Sequence, residues 1–257
     1  MISVPAELQH LLSLGLWHAI GVFFRVGALV SLLPAFGERS VPVRIKLAVA
    51  IAFTAVISPA VAPIAAPSDP LALAGFAAAE VGIGLALGIA IRLFVMALQT
   101  AGSMAAQSTS LSQILGGAAA EPVPAMGYVL VVAGLALAVM AGLHVRAAEF
   151  LITSYDVFPA GFAPNPRALS SWGLGRVSQA FTLAFMLAAP FVIASVIYNL
   201  TLGVINRAMP QLMVAFVGAP VITFGGLFLL FVGAPLMLTV WSDALTAFFY
   251  NPVAPPQ

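Results

Sequence analysis

The sequence predicts an all-α membrane protein, and two observations carry that prediction. Of the 257 residues, 62% are hydrophobic and only 7% are charged, whereas an ordinary soluble domain carries about 25% charged residues. The apolar residues also fall in long runs with few charges, and a membrane-spanning helix needs about 20 such residues. Because one core of this size cannot hide so much apolar surface, lipid or protein partners must cover the remainder.

The apolar runs predict about six helical segments within one membrane domain, residues 1–257. The candidate segments are Leu8–Leu33, Leu47–Ser68, Leu71–Leu98, Met126–Ile152, Val177–Asn206 and Ala208–Ser242. The last run is too long for one simple span, and prolines and a glycine pair within it predict a broken helix or a tight hairpin. These residues are Pro210, Pro220, Pro235 and Gly225–Gly226.

Polar intervals rich in proline or glycine separate the runs and are predicted to be loops. The longest is Asp156–Arg176. The first, Pro34–Arg44, leads directly to Lys46, so three basic residues crowd this connection. Since basic residues are retained in cytoplasmic loops, we expect the first loop on the cytoplasmic side.

The segment Gln99–Gly117 is polar but carries no charge. Hydroxyl and amide side chains at membrane depth are tolerated when they face protein or water. The composition therefore leaves two interpretations open: the lining of a cavity or movable constriction, or a polar surface loop.

Five ionisable side chains interrupt the apolar runs: Arg25, Glu80, Arg92, Arg146 and Glu149. A basic side chain at the bilayer centre costs about 2.5 to 3.5 kcal/mol on insertion scales, so each is expected to pair or to reach the interface. Arg25 and Glu80 lie on different predicted helices and could pair with each other. A proton relay is the alternative, in which Glu80 and Arg92 would form the coupling site of a proton-coupled small-solute carrier.

Gly84 and Gly88 form a G-x-x-x-G spacing inside an apolar helix, a pattern typical of close approach between membrane helices. The sequence carries no phosphate loop, catalytic motif or cysteine, and its single lysine and three scattered histidines cannot build a metal or nucleotide site. A net charge of +1 gives no basic field for nucleic acid. We therefore predict a protein without catalytic activity, cofactor or nucleic-acid partner.

Four stretches of the chain resemble the FliR family, the flagellar type III export-gate membrane proteins. The most specific is NLTLGVINRAMPQLMVAFVGAP, Asn199–Pro220. LLPAFGERSVPVRIKLAVAIAF, Leu32–Phe53, is similar to the family's first loop. The other two are AEVGIGLALGIAIRLFVMALQTAG, Ala79–Gly102, and GLHVRAAEFLITSYDVFPAG, Gly142–Gly161. Together they are spread over the chain from Leu32 to Pro220, in the family's order.

The resemblance implies a component of the export gate that assembles with FliP and FliQ into a helical hetero-oligomer. That gate would lie in the bacterial inner membrane, within the flagellar basal body, beside other export-apparatus membrane proteins. Unfolded rod, hook and filament subunits would cross through it. The homologous gate component of injectisomes is the alternative, and the wording INRAMPQLMVAFVGAP favours the flagellar branch.

The same resemblance implies two sets of functional residues. The polar segment would be a plug that closes the channel, formed by Ser103, Gln107, Ser108, Ser110, Ser112, Gln113, Gly116 and Gly117. A second set would contact other subunits or support the fold: Gly84, Gly88, Glu80, Arg92, Asn206, Arg207, Pro210 and Gln211.

Overall fold

A computed structural model describes residues 6–67, 69–109, 125–209 and 214–252, and every regular element in these ranges is a helix. The helices are α1 (Ala6–Leu32), α2 (Val43–Ile57), α3 (Pro70–Thr109), α4 (Ala125–Met140), α5 (Leu143–Val157), α6 (Pro166–Ala208) and α7 (Val214–Tyr250). A single 3-10 turn, Ser58–Ala60, follows α2. The all-α prediction is therefore confirmed.

Among the described residues, five helices are long and apolar enough to cross a membrane, and a sixth span results if α4 and α5 count as one. The five are α1 from Gly15, α2 with its 3-10 turn, α3, α6, and α7 from Pro220. This number agrees with the six segments predicted from the apolar runs.

The predicted segment Met126–Ile152 is bent rather than straight. α4 and α5 meet at an angle of 70°, and Gly142 at the bend has a φ of 79° and a ψ of 36°. Glycine adopts this left-handed conformation without the clash that a Cβ would create. A glycine inside an apolar run therefore breaks this segment, at a place where no break was predicted.

The break predicted at the prolines and glycine pair of the last run is wrong. α7 is continuous from Val214 to Tyr250 and contains Pro220 and Pro235 in its interior. Each proline removes one backbone hydrogen bond, and membrane helices compensate such losses through neighbouring helices and hydroxyl side chains. Pro210 lies outside the described residues.

The polar interval Asp156–Arg176 is only partly a loop. α5 continues to Val157 and α6 begins at Pro166, so the connection is residues 158–165. Proline at the first helical position loses no intrahelical hydrogen bond. The side chain of Asn165 caps the helix, because its Oδ1 accepts a hydrogen bond from the backbone N–H of Arg167 at 2.9 Å.

The second predicted segment, Leu47–Ser68, is shifted towards the N-terminus. Its helix α2 begins at Val43, directly after Pro42, and ends at Ile57. Pro59 falls in the 3-10 turn that follows, and a further proline, Pro63, prevents a return to helix.

The described chain packs into two compact units that interleave in sequence. The first comprises residues 6–92, 139–176 and 251–252, and the second comprises residues 93–109, 125–138, 177–209 and 214–250. α3 therefore contributes its first half to one unit and its second half to the other.

The core of the first unit forms along one face of α1, where residues three or four apart are fully buried. These are Val22, Val26, Leu29 and Val30, and Leu33 directly after the helix is fully buried as well. The ring of His18 joins α1 to the connection after α2, since its Nε2 lies 2.8 Å from the carbonyl oxygen of Ser58. Its Nδ1 accepts a hydrogen bond from the N–H of Ile64 at 3.2 Å, so the bond to Ser58 is donated by Nε2.

The second unit is centred on Trp241 of α7, which is 1% exposed. Its Nε1 donates to the carbonyl oxygen of Phe94 on α3 at 2.7 Å. The indole ring also borders Gly134 on α4. One buried tryptophan thus joins three helices of this unit.

Candidate functional site

The polar segment that follows the third apolar run begins as a helix. α3 continues through Gln99 to Thr109, so the surface-loop interpretation is wrong for these residues. Hydroxyl side chains bond back to carbonyl oxygens within the helix: Ser108 Oγ donates to Ala105 at 2.8 Å, and Thr109 Oγ1 lies 3.1 Å from the same oxygen. These local bonds satisfy the two hydroxyl groups within the helix.

One face of this helical end is polar and open. Gln99 and Gln107 are exposed and Ser103 is half-buried, and their spacing of four residues places them in one row along the helix. We call Gln99, Ser103 and Gln107 the polar stripe. Ser108 is half-buried beside it. The remaining plug residues lie outside the described residues: Ser110, Ser112, Gln113, Gly116 and Gly117.

The opposite face of the same helical end is packed closely in the second unit. Leu98, Ala101 and Ala105 have no exposed surface. Gly102 approaches Gly127 of α4 so closely that a Cβ at Gly102 would overlap the Gly127 backbone. The polar stripe is therefore an uncharged row of side chains on a helix whose back is fixed.

The first unit holds a buried ion pair between α1 and α3. Arg25 Nε donates to Glu80 Oε2 at 2.8 Å, and both side chains are fully buried. Arg25 Nη2 also donates to Glu80 Oε1 at 3.1 Å, which makes the contact bidentate. The structure thus contains the pairing of Arg25 with Glu80 that the sequence leaves open alongside a relay.

Further groups from α5 and from the connection after it complete this buried site. Arg25 donates to Ser154 Oγ at 3.1 Å and to the carbonyl oxygen of Phe158 at 2.8 Å. Its guanidinium lies 3.7 Å from the centre of the Tyr155 ring. Glu80 Oε1 accepts a second hydrogen bond, from the N–H of Gly161 at 2.8 Å. We call these residues the buried clamp, because they fasten α1, α3 and the start of the α5–α6 connection together.

The geometry of the clamp is that of a fixed support. A relay needs a second titratable group that can receive the proton. In the described part of the chain, Glu80 accepts hydrogen bonds from the Arg25 guanidinium and a backbone N–H, with no histidine and no second carboxylate among these partners. The other titratable group of the clamp is the Tyr155 phenol, whose ring lies against the guanidinium, and a phenol keeps its proton near neutral pH.

Gly84 and Gly88 lie on the α3 face that packs against α1. A Cβ at Gly84 would overlap the carbonyl oxygen of Arg25, and a Cβ at Gly88 would lie 3.1 Å from the Cβ of Leu32. The neighbouring Gly82 has open space at the same position. The G-x-x-x-G spacing therefore serves helix packing inside this chain, directly beside the buried clamp.

Arg92 lies one helical turn beyond Gly88 and is half-buried. Its Nη2 lies 3.4 Å from Glu38 Oε2, and its Nη1 lies 3.5 Å from the carbonyl oxygen of Leu32. These long contacts connect α3 to the α1–α2 loop. They do not connect Arg92 to Glu80, so the two residues of the suggested coupling site have separate partners.

Asn206 and Arg207 occupy the last turn of α6, and both are exposed. Pro210 and Gln211 lie outside the described residues. Two turns earlier, Tyr198 Oη donates to the carbonyl oxygen of Gly218 on α7 at 2.6 Å. This bond ties α6 to α7 and leaves the end of α6 open to partners.

Among the described residues, no group of three or more histidine, aspartate or glutamate side chains is placed to hold a metal ion.

The residues that sequence reasoning missed are mainly hydrogen-bonding groups at buried contacts. Ser154 and Gly161 in the clamp carry no signal in sequence, because a serine and a backbone amide occur everywhere. The spacing of Gln99, Ser103 and Gln107 was a usable signal for a helix.

Comparison with known proteins places these features in a family. Residues 16–248 match the family described as bacterial export proteins, family 1. The chain is thus a helical membrane protein of a bacterial export class.

Individual relatives identify the family within this export class. The flagellar biosynthetic protein FliR of Caulobacter vibrioides is 33% identical over 228 residues, which cover 86% of this chain and 90% of the relative. FliR of Escherichia coli is 29% identical, with 83% and 82% covered, and FliR of Aquifex aeolicus is 27% identical, with 88% and 89% covered. The chain belongs to the FliR family of flagellar biosynthetic proteins.

Proposed function

We propose that this chain is a non-enzymatic component of the flagellar type III export gate. It acts as one membrane domain, residues 1–257, in the bacterial inner membrane within the basal body. There it assembles with FliP and FliQ, beside other export-apparatus proteins, into the channel through which unfolded rod, hook and filament subunits cross. The names of the relatives, which all refer to flagellar biosynthesis, favour this branch over the injectisome.

The length of the helices is the observation that carries the proposal. α3, α6 and α7 have 40, 43 and 37 residues, and at 1.5 Å per residue each extends for about 55 to 65 Å. The hydrocarbon core of a bilayer is only about 30 Å thick. A bilayer can therefore cover only part of each helix.

The surface of α6 and α7 is apolar and open along the middle of each helix. On α6, Phe185, Ile193, Val196 and Leu200 are exposed, and on α7 Phe231 is 81% exposed. Exposed apolar surface of this extent needs a cover, since a soluble surface rarely leaves so large a patch open. Partner helices are the cover that the export-gate assembly supplies, and exposed Asn206 and Arg207 at the end of α6 would lie at that interface.

The polar stripe, at the end of α3, is proposed as the first part of the plug. Its side chains are uncharged, so a passing polypeptide can replace their contacts without exposing a buried charge. In this proposal Ser103, Gln107 and Ser108 begin the closing surface. The segment that follows completes it with Ser110, Ser112, Gln113, Gly116 and Gly117.

The clamp is proposed as the support of this gate. Glu80 and Arg25 hold each other, and Gly84 and Gly88 let α1 and α3 approach. The energy for export comes from elsewhere in the apparatus, because the sequence carries no nucleotide-binding motif. The same contacts argue against the proton-coupled carrier, in which Glu80 would have to exchange protons.

Purification of the tagged chain from its native membrane in a mild detergent tests the assembly. Mass spectrometry should identify FliP and FliQ as stable companions, and native mass should report one hetero-oligomer. A chain that runs alone or as a homo-oligomer, under conditions that preserve other membrane complexes, would refute the proposal.

Deletion of residues 107–116 tests the plug. The variant should still purify with its partners, and cells that carry it should show raised ion conductance across the inner membrane. Unchanged conductance in an assembled complex would contradict the plug while leaving the assembly intact.

A further inference from the structure

Positive charge is concentrated at one end of the first unit, where α1 is joined to α2. Four of the nine basic residues of the chain meet here, Arg39, Arg44, Lys46 and Arg92, beside one acidic residue, Glu38. This end therefore carries four basic residues against one acidic residue, in a chain whose net charge is only +1.

Two of the four cations are already engaged. Lys46 Nζ donates to the carbonyl oxygen of Gly37 at 2.9 Å, and Arg92 is paired with Glu38. Arg39 and Arg44 are exposed, and in the part of the chain that the structure describes neither has an acidic side chain within ion-pair distance. Two free guanidinium groups thus stand at the start of α2.

The surface next to these arginines is purely aliphatic. The exposed large side chains of α2 are Val43, Ile45, Leu47, Ile51 and Val56, from 50% to 79% exposed. α2 with its 3-10 turn forms an 18-residue span that is long and apolar enough to cross a bilayer. Protein interfaces are enriched in aromatic anchors, whereas this face offers only branched hydrocarbon, which suits acyl chains.

We propose that the α1–α2 loop and the exposed face of α2 bind an anionic phospholipid of the surrounding bilayer. Arg39 and Arg44 contact the headgroup phosphate, which a guanidinium can bind through two parallel N–H donors. The acyl chains lie along Leu47 and Ile51, which are three and seven residues after Arg44 and so share its side of α2. A phospholipid satisfies the charge and the apolar face together, which neither a free anion nor a hydrocarbon can do.

The proposal is independent of the export role, because it requires only that α2 faces lipid. It is tested with the full-length tagged chain and its co-purifying partners, immobilised in mild detergent. The probes are fluorescent phosphatidylglycerol and fluorescent phosphatidylcholine, and the measurement is the ratio of the two retained per chain.

Removal of both charges, R39Q/R44Q, should lower this ratio about thirty-fold, since each of the two basic residues contributes about five-fold near an anionic lipid surface. The charge-preserving variant R39K/R44K should keep most of the preference. A matched control, Arg167→Gln, removes one exposed arginine elsewhere on the chain and should leave the ratio unchanged. Raised salt should lower the ratio of the unmodified chain, which tests the charge without any substitution.

Three results would overturn the proposal. One is an unchanged phosphatidylglycerol preference in R39Q/R44Q, and another is an equal loss in R39K/R44K. The third is the loss of a co-purifying protein from R39Q/R44Q with lipid retention unchanged, which would identify an acidic protein segment as the occupant.

Discussion

The two halves of α3 use polar side chains in opposite ways. Residues 70–92 bury one carboxylate, Glu80, and fix it through Arg25 and the N–H of Gly161. Residues 93–109 bury no charge and turn Gln99 and Gln107 outward. A buried ion pair resists displacement because either partner alone is costly, whereas an exposed amide exchanges partners with water at little cost. The first half is suited to hold a position and the second to change its contacts.

The largest effect should follow from breaking the clamp. Glu80→Gln leaves the guanidinium of Arg25 buried without a countercharge, which costs about 3 to 5 kcal/mol of folding free energy. The expected result is a large fall in the midpoint of detergent-induced unfolding of the purified chain.

A double variant distinguishes a structural role of the clamp from a role in proton transfer. Replacing both partners, Arg25→Met with Glu80→Leu, removes the uncompensated charge and should restore part of the lost stability. If Glu80→Gln instead kept the unfolding midpoint of the natural chain and lost only flagellar export, a relay would be the better interpretation. The comparison between the two halves of α3 would then fail.

The second effect should follow from crowding the packed face of the other half. Gly102→Ala places a Cβ onto the Gly127 backbone, and overpacking of this kind costs about 1 to 3 kcal/mol. The same unfolding measurement should therefore show a smaller fall than Glu80→Gln.

Gly82→Ala is the matched control on the same helix, because a Cβ there meets open space. Alanine is favoured over glycine in a helix by about 0.5 to 1 kcal/mol, so this variant should be as stable as the natural chain or slightly more stable. Equal losses from the two substitutions would mean that the Gly102–Gly127 contact does not matter.

Much of the fold was predictable, because apolar runs and membrane helices obey the same length requirement. The wrong predictions concern glycine and proline, because each of these residues can either break a helix or be accommodated inside it. Gly142 bends the chain while Gly225 and Gly226 remain inside α7, and Pro220 and Pro235 are accommodated there too. Only tertiary contacts decide whether a lost backbone hydrogen bond is compensated, so sequence alone cannot separate these cases.

The sequence predicted more of the candidate site in the first unit than in the second. Arg25 and Glu80 are opposite charges in apolar runs, so their pairing could be anticipated from the cost of leaving either alone. Their contacts to Ser154 and to the N–H of Gly161 join residues 129 and 81 positions apart, and no sequence pattern encodes such pairs. For the polar stripe, composition alone fits a loop and a helix equally well.

The smallest effect on stability should come from the polar stripe. The triple variant Q99A/S103A/Q107A changes side chains that are exposed or half-buried, and surface substitutions of this kind stay within about 0.5 kcal/mol. The unfolding midpoint should therefore match that of the natural chain. If the stripe begins the plug, its shortened side chains should nevertheless raise ion conductance across the membrane, by less than deletion of residues 107–116 does.

A triple variant on the exposed apolar face of α3, L85A/I89A/M96A, provides the comparison for that measurement. These side chains are also exposed, yet they are hydrocarbon or thioether surface that lipid or partner helices cover in the proposed assembly. They should leave conductance unchanged, because in the proposal the seal forms at the polar end of α3 and not along its apolar part, whatever the number of atoms removed. Equal leakage from both triple variants would show that the polar half of α3 has no special part in closure, and the distinction between a fixed half and a movable half would then rest on the clamp alone.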